Sequence, residues 1–76
     1  MTADELTAKL LESFPEAQIK TQDLTGGGDH WRVEITAKEF QGLTTVEQHQ
    51  AVYKALGELM REAIHALSLQ TTPLES

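Results

Sequence analysis

Between residues 45 and 69 a helical apolar stripe runs directly into a short alternating segment, and that order limits what the chain can fold into. Val46, His49, Val52, Tyr53, Leu56, Leu59, Met60 and Ala63 recur at the three- and four-residue intervals of one helix face. Thr44 with Glu47, or Thr45 with Gln48, offers a capping box at the start. The spacing predicts a helix over 45–62, with Val46 to His49 open to being a short separate turn before it. Gly57 sits inside the stripe at a cost of about 1 kcal/mol relative to alanine, which points to close packing or a bend there. From Ile64 the period changes to two. His65, Leu67, Leu69 and Thr71 then share one face of a strand predicted over 64–72, which Pro73 ends ahead of a loose tail at 73–76. The helix thus delivers one histidine to the start of a strand, and the residues upstream must supply the layer its stripe packs on.

Upstream, Thr2 and Glu5 form a capping-box pair, and Leu6, Leu10 and Phe14 follow at four-residue intervals, with Leu11 widening the stripe. Asp4 and Glu5 complement the helix dipole, and Pro15 forces the preceding residue out of helical geometry, so a helix is predicted over 2–14. Ala17, Ile19 and Thr21 alternate weakly, as in a polar strand over 17–24. Thr25, Gly26, Gly27, Gly28 and Asp29 follow as a flexible turn over 25–29. Trp31, Val33, Ile35 and Ala37 then alternate with His30, Arg32, Glu34 and Thr36, giving a half-buried strand over 30–37 that closes an antiparallel hairpin. Phe40 in the connector is expected to tuck under the next helix. A two-stranded hairpin is marginal alone, so the last strand should join it and the helices should cover one face. The expected class is an α+β sandwich of order α-β-β-α-β with a three-stranded sheet.

Length and charge narrow the function. At 76 residues the chain is expected to be a single domain that hides only about 60–65% of its unfolded surface. Six Lys and Arg stand against twelve Asp and Glu, a net charge of −6. The cations Lys9, Lys20, Arg32, Lys38, Lys54 and Arg61 are scattered, so duplex affinity should be weak and salt-sensitive. No apolar run approaches the length of a membrane span, and the acidic start is unlike a signal peptide; a cytoplasmic location is expected. Cysteine is absent, which excludes disulfides and any thiolate from this chain. The glycine triplet precedes Asp29 and a strand rather than Lys-Ser/Thr and a helix, so it is no phosphate cradle. No Ser-His-Asp order or paired-carboxylate pattern is recognisable, and an enzyme is not expected. His30, His49 and His65 remain as the soft ligands, none paired at four-residue helical spacing.

Four stretches together resemble the BolA family, over nearly the whole chain from the first helix to Pro73. They are the run from Gly28 to Val33, Phe40-Gln41-Gly42, the run from His49 to Leu56, and above all Ile64-His65-Ala66-Leu67-Ser68-Leu69. The resemblance implies a class II KH-like α-β-β-α-β arrangement with a short extra turn before the long helix. It also implies a partner, a monothiol glutaredoxin, with which members share a [2Fe-2S] cluster in iron–sulfur trafficking or iron homeostasis. The partner and its glutathione then provide thiolates, and His65 matches the histidine that the family provides from the start of its last strand. A second ligand comes in the family from the first hairpin loop. Gly27 stands near the place where short-loop members carry Cys, and His30 is the closest donor here. The Gly26, Gly27 and Gly28 loop, with His49 and Tyr53 on the helix, is the expected partner surface. Alone, the chain should carry no cofactor and be a monomer or weak homodimer. Some members are described as DNA-binding transcriptional regulators, and Arg32 and Lys54 would carry that alternative. Gln48 and Gln50 replace arginines that flank the helix histidine in many relatives, and a net charge of −6 suits a basic partner face better than a duplex.

Overall fold

The computed structural model describes residues 1–74; Glu75 and Ser76 of the expected tail at 73–76 lie outside the described residues. Its centre is the strand whose alternation was sharpest. Trp31, Val33, Ile35 and Ala37 are at most 2% exposed, while His30, Arg32, Glu34 and Thr36 between them are half-exposed. This strand, β2 (His30–Ala37), pairs antiparallel with β1 (Gln18–Asp23) and parallel with β3 (Ala66–Pro73). The sheet is therefore mixed, in the order β1-β2-β3.

Helices α1 (Ala3–Ser13) and α2 (Thr45–Leu56) pack on the apolar side of β2, and a short α3 (Leu59–Glu62) precedes β3. Leu6, Leu10, Val52 and Leu56 are fully buried, joined by Phe14, Phe40 and Ile64. Each large side chain sealed this way contributes roughly 1.5–3 kcal/mol of burial, which matters in a chain this short. Phe40 lies in a 3₁₀ turn (Lys38–Phe40) with its ring 5.2 Å from that of Phe14, so it does tuck under the helical layer. The α+β class and the three-stranded sheet covered on one face agree with the sequence reading.

Several local expectations are corrected. The predicted helix over 45–62 is two helices, because Gly57 adopts φ +55° and ψ −126°, which no helix permits. The extra turn lies upstream, at Lys38–Phe40, and Val46 to His49 form the first turn of α2 itself. Thr44 and Glu47 make the complete capping box: the Glu47 amide donates to Thr44 Oγ1 at 3.2 Å and the Thr44 amide to Glu47 Oε1 at 2.9 Å. At Thr2 only half a box forms, since its hydroxyl accepts from the Glu5 amide but donates back to the Glu5 carboxylate. The phase of α2 also differs. Gln48 points inward, its amide donating to Leu43 O at 3.0 Å and its oxygen accepting from the Thr71 hydroxyl at 2.7 Å. With Gln48, Val52 and Leu56 facing the core, Val46 and Tyr53 are turned outward at 65% and 41% exposure. Leu11 on α1 is likewise exposed rather than part of the stripe. The first helix covers 3–13 rather than 2–14 and the first strand 18–23 rather than 17–24; the last runs from Ala66 to Pro73, so His65 precedes it and shares no face with Leu67, and Pro73 is its final residue rather than the start of the tail.

Gly57 is needed for its backbone angle and not for space, because a Cβ there would meet nothing closer than Lys54 O at 3.9 Å. Gly57→Ala is therefore expected to cost about 1–2 kcal/mol through strain at positive φ. Thermal unfolding followed by circular dichroism should show the midpoint lowered by roughly 5–10 °C.

Candidate functional site

The parallel register sets residue 30 beside residue 66, so the end of the first hairpin loop meets the segment that enters β3. Main-chain bonds fasten the junction. The amide of His65 donates to Asp29 O at 2.7 Å and that of Ala66 donates to the same oxygen at 3.3 Å. Neither bond needs a particular side chain at residue 65, so the fold leaves that position free for chemistry.

Two of the three histidines come together here. The rings of His30 and His65 lie with centroids 6.0 Å apart and planes perpendicular. Between them stands Asp29. Its Oδ1 is 2.9 Å from His30 Nδ1 in a hydrogen bond, and its Oδ2 is 3.2 Å from His65 Nδ1. The His65 side chain is 69% exposed and that of His30 is 40% exposed, so both reach solvent at the rim of the sheet. Metal-ligating histidines commonly give their second ring nitrogen to a carboxylate in this manner, leaving the other nitrogen outward. Among the described residues no group of three or more His, Cys, Asp or Glu side chains is arranged to hold a metal ion. The rim therefore offers a fragment of a coordination sphere rather than a whole one.

The loop that carries Asp29 is held by a second aspartate. Asp23 Oδ1 accepts from the amides of Gly26 at 2.9 Å and Thr25 at 3.3 Å, while its Oδ2 accepts from the Gly28 amide at 2.9 Å. Gly28 adopts φ +76°, and a Cβ there would stand 2.7 Å from Met1 O, so a side chain is excluded both by strain and by space. Its carbonyl accepts from the buried indole of Trp31 at 3.1 Å. The turn expected to be flexible thus has three of its amides bonded to one carboxylate. Of its three glycines, Gly26 and Gly27 are exposed, whereas Gly28 is buried and spends both main-chain groups inside the protein.

The other sequence-derived residues lie elsewhere. His49 is half-buried on α2 beside exposed Tyr53 and Val46, which together form an outward stripe at helical spacing. Arg32 alternates with Trp31 and Val33 and so faces the open side of the sheet, where its guanidinium donates to Gln70 Oε1 at 3.3 Å. Lys54 is exposed on α2, in the layer on the opposite side of the sheet. The two cations nominated for nucleic acid are therefore not brought onto one surface. Asp23 and Asp29 were missed by sequence reasoning. An aspartate at each end of a glycine loop was the available signal, but its meaning depends on which strand end arrives beside it.

Comparison with known proteins agrees with the sequence resemblance. Residues 5–75 match the family model described as BolA-like protein. The chain is similar to an uncharacterized protein of Rickettsia prowazekii, 39% identical over 71 residues that cover 93% of this chain and 92% of that one. It is 34% identical over 71 residues to the protein BOLA2 of Arabidopsis thaliana, covering 92% of this chain and 75% of the relative. Among solved structures, BolA1 from Arabidopsis thaliana superposes with a TM-score of 0.83 at 30% identity, covering 97% of this chain and 94% of that one.

The hydrogen bond from His30 holds the Asp29 carboxyl below its ordinary value of 3.8, against some desolvation and with help from the charges of His30 and His65. A depressed carboxyl stabilises the fold above its unfolded value, and that contribution is lost as pH falls through the lowered one. In an NMR titration the Asp29 carboxyl should titrate below 3.8, and His30→Ala should return it toward 3.8 by more than His65→Ala does.

Proposed function

The chain belongs to the BolA-like protein family, and from that membership we propose that it is a non-enzymatic adaptor for a monothiol glutaredoxin. In this reading the two proteins share a [2Fe-2S] cluster, as cargo in iron–sulfur trafficking or iron homeostasis. One observation carries it: His65 stands exposed at the sheet rim with its Nδ1 3.2 Å from a carboxylate oxygen and, among the described residues, no hydrogen bond to its Nε2. That is how a protein presents an imidazole to a metal it does not otherwise hold.

The donors of this chain fit an incomplete, shared site. It has no cysteine, so every sulfur ligand must come from the glutaredoxin and its glutathione. His65 provides one nitrogen, and His30 is the second donor within reach. Gly27, exposed in the Asp23-held loop, has no side chain to obstruct an approaching partner. The outward stripe of Val46, His49 and Tyr53 is the surface on which a partner helix or loop would rest. A net charge of −6 favours a basic face opposite it. Bound there, the cluster supplies redox-active iron held by ligands from two proteins. This chain contributes nitrogen donors and a docking surface, with no reaction of its own.

DNA binding is disfavoured, because Arg32 and Lys54 lie on opposite sides of the sheet and a net charge of −6 opposes a polyanion.

Mixing with cluster-loaded glutaredoxin while recording visible absorbance and native mass tests the reading. The wild-type chain should shift the cluster spectrum and form a mixed complex. His65→Ala should abolish the spectral shift, and Tyr53→Ala should weaken the complex several-fold while leaving the shifted spectrum intact at saturation. An unchanged spectral shift in His65→Ala removes that residue from the mechanism.

A further inference from the structure

The Asp29 carboxylate faces a ring nitrogen of both rim histidines, and this constrains where their protons sit. An ionised carboxylate has lone pairs and no hydrogen to give. The Nδ1 of His30, 2.9 Å from Oδ1 in a hydrogen bond, must therefore carry the proton of the neutral ring. The Nδ1 of His65 lies 3.2 Å from Oδ2, at ion-pair distance without an aligned hydrogen bond, and there the charge of the carboxylate favours hydrogen on the nearer ring nitrogen. Imidazole left to itself in water prefers the opposite arrangement, with hydrogen on Nε2. We propose that Asp29 is the positioning residue of the rim: it fixes both histidines as the Nδ1–H tautomer, so that each presents an unprotonated Nε2 to a ligand.

This rests on the reading of His65 and His30 as metal ligands, but the tautomer exists without any metal and is measured without one. The side-chain role is also separable from the main-chain role of the same residue. The carbonyl of Asp29, and not its carboxylate, receives the amides of His65 and Ala66. Truncation of the side chain therefore leaves the entry to β3 fastened. His49 is an internal reference, since no hydrogen bond or ion pair engages its ring among the described residues. A carboxylate that orients a metal-binding imidazole in this way typically alters affinity for the metal by about 10–100-fold.

The experiment is long-range proton–nitrogen NMR on the ¹⁵N-labelled chain above the titration range of imidazole, without partner or metal. In the wild type, His30 and His65 should report hydrogen on Nδ1, and His49 hydrogen mainly on Nε2. Asp29→Ala should move His30 and His65 to the His49 pattern, with amide shifts unchanged outside the loop whose Thr25 hydroxyl also donates to the Asp29 carboxylate at 3.4 Å. Asp29→Asn, which keeps the shape but presents one N–H₂, should move at least one of the two. Rim histidines that are already mainly Nε2–H in the wild type, or that ignore both substitutions, overturn the proposal. The wild-type measurement decides even where a variant fails to fold. A second arm titrates cluster-loaded glutaredoxin with the wild type and Asp29→Ala. Full affinity in the variant rejects the positioning role while leaving His65 as a ligand, and a loss of 10–100-fold supports it. Correct tautomers with no cluster uptake by the wild type reject the shared-cluster reading while leaving the role of Asp29 in setting the tautomers.

Discussion

The parallel pairing of β3 alongside β2 is the constraint on which the rest of the structure depends. Sequence separation alone would leave His30 and His65 unrelated. Because residue 30 pairs with residue 66, the chain returns from its helical crossover at the point where the glycine loop ends. Parallel pairing requires a long connection between strand ends, and here α2, the Gly57 turn and α3 provide it. The crossover is anchored by the burial of Val52, Leu56 and Ile64 against Trp31 and Val33, so ordinary core packing fixes where His65 emerges.

At that junction the protein concentrates polar groups that would be costly elsewhere. One carboxylate, Asp23, satisfies three loop amides, and a second, Asp29, contacts two imidazoles. Gly28 joins the two, with its amide on Asp23 and its carbonyl on the Trp31 indole. The loop is thereby referred to the core through a buried tryptophan. A rim built in this way would be set before any partner arrived, and would need less ordering on binding.

Much of this was legible in the sequence because it was written in periodicity. The two-residue alternation from His30 to Ala37 gave β2 to the residue, and the four-residue spacing of Leu6, Leu10 and Phe14 gave α1 and its inner face. What sequence patterns miss is phase and register. Gln48 looks like a solvent-facing residue, yet it is buried because Leu43 O and the Thr71 hydroxyl satisfy its amide, and that rotates Val46 and Tyr53 outward. Gly57 pointed to close packing or a bend, and of the two the structure has the bend: its positive φ ends one helix before the next begins. Asp29 was the least legible residue. Its role exists only once β3 is laid beside β2, and no local pattern announces a parallel register.

The proposed role of this chain requires that one of its imidazoles bind iron in the complex with a glutaredoxin. Pulsed electron paramagnetic resonance on the reduced complex, prepared with this chain alone labelled with ¹⁵N-histidine, measures that directly. Strong ¹⁵N hyperfine coupling of a directly bound ring nitrogen is expected, weakened when His65 is replaced and lost when His65 and His30 are both replaced. A cluster that shows no ¹⁵N coupling from the labelled chain, in a complex that nevertheless forms, would contradict it.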